Sequence, residues 1–61
     1  MITRAEAERY MDSYEKGMTI SEYVDFFKDC QRSAPEDKVF AAYTTAELEE
    51  LAKIIIEVHE G

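Results

Sequence analysis

Thr19-Ile20-Ser21-Glu22-Tyr23-Val24-Asp25-Phe26-Phe27-Lys28-Asp29-Cys30 is the stretch whose reading decides the fold. It opens on a Thr followed three residues later by a Glu. In a capping box of this kind the hydroxyl accepts the backbone N–H of the Glu, and the Glu carboxylate accepts the N–H of the Thr. Two orphan donors of a first helical turn are satisfied reciprocally. Ile20, Tyr23, Val24, Phe27 and Cys30 then recur at the 3–4 spacing of one helical face, with Ser21, Asp25 and Asp29 opposed to them. Phe26 lies about a quarter turn off the stripe and widens it. The stretch predicts an amphipathic helix over residues 20–31.

The same start recurs in both directions along the chain, at Thr3…Glu6, Ser33…Glu36 and Thr44…Glu47. Seven Ser/Thr and ten Glu in 61 positions give about one such pair by chance, so four mark real helix starts. Helices are expected at about residues 4–16, 20–31, 34–43 and 45–59. Three starts also carry the apolar pair that staples the first turn: Ile2 with Ala7, Met18 with Tyr23, and Tyr43 with Leu48. Arg32 and Asp37 occupy those places at Ser33, where Pro35 supplies a pre-set φ instead. Gly17 is the natural left-handed stop of the first helix, and Gly61 closes the last. Ala7, Tyr10, Met11, Tyr14 and Met18 form the first buried stripe, and Leu48, Leu51, Ala52, Ile55 and Val58 the last. Two alternatives stay open. Thr44-Thr45 only discourages a continuous third and fourth helix, and β-branched Ile54-Ile55-Ile56 can read as a short strand. The polar period of Glu49, Glu50, Lys53 and Glu57 favours helix. The fold class is therefore all-α: a compact bundle of three to four short helices, one small domain over 1–61, completed by homodimerisation.

Length and composition set the function classes that remain. A unit of 61 residues buries only about 60% of the surface its unfolded chain exposes, so its stability margin is thin. At 46% hydrophobic, with two Gly and one Pro, it is nevertheless a folding chain and not a disordered one. One cysteine, Cys30, excludes an internal disulfide framework and a cysteine-based zinc site. A formal charge of −7 argues against direct binding to nucleic acid or to an anionic membrane. The start Met1-Ile2-Thr3-Arg4-Ala5-Glu6 carries charge where a signal peptide needs an apolar run, and Ile54-Ile55-Ile56 is far short of the ~20 residues that span a bilayer. A cytoplasmic protein, of a cell or an infected host cell, is the expectation.

Single residues offer little chemistry. His59, near a helix C-terminus, is favourable there as a cation, and a zinc site through it lacks spaced partners. Cys30 reads as a small buried hydrophobe, because neighbouring Asp29 has the wrong sign to activate a thiol. No metal, cofactor or catalytic residue is expected, and the chain reads as a binding protein and not an enzyme. The acids are another matter. From Thr44 onward five acids face one base. Asp25, Asp29, Glu49, Glu50 and Glu57 are read as an acidic, phosphate-like face for a partner with a basic surface. Leu51, Ile54, Ile55, Val58 and Phe26 are read as a self-association surface, since they spread beyond one stripe. The resulting expectation is a small acidic regulator or inhibitor, of phage or mobile-element origin, that docks on a nucleic-acid-binding or defence protein. The alternative is a structural helical adaptor with no inhibitory role.

Overall fold

The computed structural model describes all 61 residues, and every regular element in it is helical. In chain order these are α1 (Arg4–Glu8), a 3₁₀ turn (Met11–Ser13), α2 (Ile20–Ser33), α3 (Lys38–Ala41) and α4 (Thr45–Glu60). Three of the four capping boxes form. Thr3, Thr19 and Thr44 each stand in extended backbone and accept the N–H of the Glu three residues on, and that Glu accepts in return. Thr44 thereby separates α3 from α4, and Ile54-Ile55-Ile56 lies well inside helix.

Two expectations fail, each for a physical reason. The first helix does not run from 4 to 16 but stops at Glu8, followed by a 3₁₀ turn and an extended Tyr14. Continuous helix would put Tyr10 and Tyr14 on one stripe, one above the other. The fold sends them to different places instead. The Tyr10 ring packs on Phe40 at 5.0 Å between centroids, while the Tyr14 ring stacks on His59 at 4.3 Å. The box at Ser33 also does not form, because Ser33 is still the last helical residue of α2. Asp37 caps α3 in its place, its carboxylate accepting the Phe40 N–H at 3.1 Å. Pro35 falls in the turn between the two helices, not in a first helical turn. Gly17 keeps its left-handed conformation, at φ 86°, but turns the chain toward α2 instead of ending a helix.

The core is the packing of α2 on α4, the most extensive between any two elements. The two run antiparallel. Gln31, near the end of α2, donates to the carbonyls of Phe40 and Tyr43 just before α4 begins, while the segment preceding α2 reaches the end of α4 through Tyr14 and Glu60. Tyr23, Val24 and Phe27 from α2 are buried with Leu48, Leu51, Ala52 and Ile55 from α4. Ile2, Ala7 and Phe40 close the ends of this core. No helix is long and apolar enough to cross a membrane.

The caps generate the first prediction. Thr19→Ala and Thr44→Ala each lower stability by about 0.5–2 kcal/mol, because each leaves a first turn with orphan donors. Ser33→Ala, at a residue that caps nothing, stays within about 0.5 kcal/mol. Urea unfolding followed by circular dichroism checks this, and equal losses at all three positions would contradict it.

Candidate functional site

Helix geometry divides the expected acidic face. Asp25 and Asp29 lie on α2 opposite the buried Tyr23 and Phe27, and both are exposed. Glu49 and Glu57 lie exposed on α4 opposite the buried Leu51 and Ile55. Since the buried sides of α2 and α4 face each other, their outer sides point in opposite directions. The five carboxylates form two separate acidic surfaces. Asp29 is further taken up by an ion pair with Arg32 one turn on. Glu50 is half-buried, and one of its oxygens accepts the Ile2 N–H at 3.4 Å. The α4 surface is the more open of the two, with Glu49, Glu57 and Glu60 around a lone Lys53 that closes no ion pair within 4 Å.

The expected self-association set also needs correction. Leu51 and Ile55 are fully buried in the core and have no surface left to offer. Ile54 is half-buried, whereas Phe26 and Val58 keep 45% and 42% of their surface exposed. These three straddle the N-terminal segment. Arg4 forms a shallow hollow with Ile54, Glu57 and Val58, while Tyr10 joins Phe26 at a second depression.

That second depression is a groove of about 200 Å³ between α2, the 3₁₀ turn and α3. Phe26, Phe27 and Cys30 form one wall, Tyr10 and Phe40 the other, and Asp37 stands at its end. The Tyr10 hydroxyl donates to the Asp37 carboxylate across 3.5 Å. Burial and the nearby Asp37 charge both raise the Tyr10 pKa above its ordinary 10. Helical periodicity assigns Tyr10 and Phe40 to the core and passes over Asp37. The signal that points to the groove is Asp37 itself, a good N-cap residue three positions before Phe40. Cys30 is half-buried in this groove and not sealed in the core.

At the far end of α4 the polar contacts are structural. The Tyr14 hydroxyl donates to Glu60 at 2.5 Å, and the His59 Nδ1 lies 3.0 Å from the Ile55 carbonyl. A carbonyl only accepts, so Nδ1 carries the proton in that contact. The Tyr43 hydroxyl donates to Glu6 at 2.9 Å and fastens α1 to the start of α4. No group of three or more His, Cys, Asp or Glu gathers in a way that could hold a metal ion. The chain matches no family model, no curated protein and no solved structure.

Two tyrosines give a pH signature. The hydrogen bond to Glu60 pushes Tyr14 up to about 12, while burial, ahead of the bond to Glu6, pushes Tyr43 up to about 12. Folding thus favours the protonated phenols. Their contribution is complete below the ordinary value of 10 and is lost as pH rises from there toward about 12. Tyrosinate absorbance should show two groups ionising at about 12, with Tyr10 also ionising later than an ordinary phenol. Glu60→Gln should return Tyr14 toward 10, whereas Glu6→Gln should lower Tyr43 only in part. A titration unmoved by Glu60→Gln would contradict the assignment.

Proposed function

We propose that this chain is a small acidic regulator or inhibitor that acts by docking on a larger protein with a basic surface. The observation that carries this reading is the uncompensated charge on the outside of α4. The chain has fourteen acids, yet ion pairs engage only Glu8, Asp29 and Glu47. Glu49, Glu50 and Glu57 have no cation partner, and from Thr44 onward five acids against one base leave −4 on this part of the chain. Like charges gathered on one rigid helix cost stability through self-repulsion, and a complementary partner relieves that cost. A basic groove, of the kind that holds nucleic acid in a DNA-binding or defence protein, is such a partner. A phage or mobile-element product aimed at such a protein fits this size and charge.

The split of the acids narrows the reading. A single flat partner can engage the α4 surface or the α2 surface, not both. Glu49, Glu50 and Glu57 are therefore the docking carboxylates, and Asp25 and Asp29 are outside the contact. The adaptor reading draws on a different observation, the exposed apolar side chains of Phe26, Val39 and Val58. A homodimer belongs to that second reading, with Ile54 and Val58 as its remaining apolar surface.

Salt separates the two. Exposed charges are screened over about 8–10 Å at 0.1–0.15 M ionic strength, so docking through α4 weakens steeply as salt rises to physiological values. With a captured basic partner, replacing Glu49, Glu50 and Glu57 by Gln should slow association with the fold intact, as charges at an interface rim do. Gln at position 50 can still accept the Ile2 N–H. The partner's nucleic acid should compete for the same site. Affinity independent of salt, with nucleic acid bound at the same time, would overturn the inhibitor and favour the adaptor. Ile54→Glu would then test the dimer by sedimentation equilibrium.

A further inference from the structure

The groove beside Phe26 is separate from the α4 carboxylates and combines features that the acidic surface lacks. Its walls are aromatic, with Phe26 and Phe27 at 5.8 Å and Phe27 and Phe40 at 5.8 Å between centroids. Phe26 keeps nearly half its surface open at the rim although it sits on the strongly amphipathic α2. At the groove's end Asp37 is half-buried, and no Lys or Arg lies within 4 Å of its carboxylate. One of its oxygens caps α3, while the other meets only the long contact from Tyr10. A carboxylate in partly apolar surroundings gains strongly from a cation supplied from outside.

Size and charge choose the occupant. At about 200 Å³ the groove falls below the roughly 300–1,000 Å³ of small-molecule sites, but it accepts one large side chain. A second copy of this chain is a poor occupant, because it brings −7 toward −7. Of the nearby cations, Arg32 is taken by Asp29, the neighbouring Lys38 closes no ion pair within 4 Å, and the charge of Arg9 bears on the Tyr10 hydroxyl less strongly than that of Asp37. Asp37 is thus left without an ion-pair partner. We propose that the groove is the docking site for a basic amphipathic segment of another protein, which seats one large apolar side chain against Phe26 and sets a Lys or Arg beside Asp37. This rests on the reading of the chain as a binder of basic proteins, and it adds an anchoring contact that the α4 carboxylates cannot supply. Interfaces draw most of their energy from a few such buried aromatic anchors and far less from rim charges.

Cys30, in the groove wall and unique in the chain, reports on occupancy. The probe is an amphipathic Leu/Lys helical peptide, with its Leu/Glu counterpart as control, added to the full chain at low and at physiological salt. Expected is a slowing of Cys30 alkylation by iodoacetamide of about tenfold or more at saturating Leu/Lys peptide. Amide shifts should centre on Phe26, Cys30 and Phe40. Phe26→Ala, at an exposed position, and Asp37→Asn, which keeps a capping side chain, should each weaken peptide binding about fivefold or more with the helical spectrum unchanged. Peptide binding that leaves Cys30 equally reactive and shifts Glu49, Glu50 and Glu57 would overturn the groove and leave the acidic-surface reading standing. Absence of peptide binding, or equal binding of the Leu/Glu control, would also overturn it. Cys30 protection that grows with protein concentration alone would assign the groove to a second copy and overturn the proposal.

Discussion

Everything in this fold turns on the fully enclosed phenol of Tyr23. Its ring lies in the core between α2 and α4, and its hydroxyl both donates to the Glu15 carbonyl at 3.2 Å and accepts the Glu15 N–H at 2.8 Å. A buried hydroxyl without partners costs on the order of 1–3 kcal/mol, a large fraction of what so small a domain has to spare. The ring can therefore enter the core only if residue 15 comes to meet it. That requirement shapes the N-terminal third of the chain. Gly17, the one residue at positive φ, provides the reversal between Glu15 and the start of α2. A Cβ at Gly17 would meet nothing within 4 Å, so glycine is needed there for its backbone and not for space.

The hold of Tyr23 on Glu15 extends to the surface. With Glu15 fixed, Tyr14 arrives at the end of α4, where it stacks on His59 and bonds Glu60. The 3₁₀ turn then lies beside α2 and brings Tyr10 against Phe40. Without that turn, Phe26 would be one more exposed phenylalanine on a helix. With it, Phe26 becomes the rim of a groove that has an acid at its end. Core and candidate binding surface are thus two sides of one local constraint.

Local signals in the sequence are reliable where they are complete within a few residues. Thr3, Thr19 and Thr44 each stand three positions before a Glu and at the head of an apolar period, and each caps a helix. Ser33 has the Glu but no apolar staple, and it serves as the last residue of α2 instead of starting a helix. Tyr10 and Tyr14 have helical spacing, yet the helix stops before them and each ring packs on a distant one, Phe40 and His59. Those contacts are between residues tens of positions apart, so spacing alone does not display them. The same holds for the acids. Residue type and period place Asp25, Asp29, Glu49, Glu50 and Glu57 toward solvent, but only the antiparallel packing of α2 on α4 decides that they look in opposite directions. Ile55 and Leu51 read as surplus apolar surface only if a thin bundle leaves them bare. The N-terminal segment, by covering the core with Ile2 and Ala7, removes that surplus.

Hydrogen exchange on Tyr23→Phe tests the central claim most directly, because the change keeps the ring and deletes only the hydroxyl. If Tyr23 holds the N-terminal segment through Glu15, the Glu15 amide and its neighbours up to Met18 should exchange faster by about threefold to tenfold, the range expected for the loss of one net hydrogen bond. Amides in the middle of α2 and α4 should keep most of their protection, and Cys30 should alkylate faster as the groove loosens. Exchange around Glu15 equal to that of the parent chain would contradict the account. So would a uniform loss of protection across all the helices, which would make Tyr23 an ordinary core residue with no special hold on the surface.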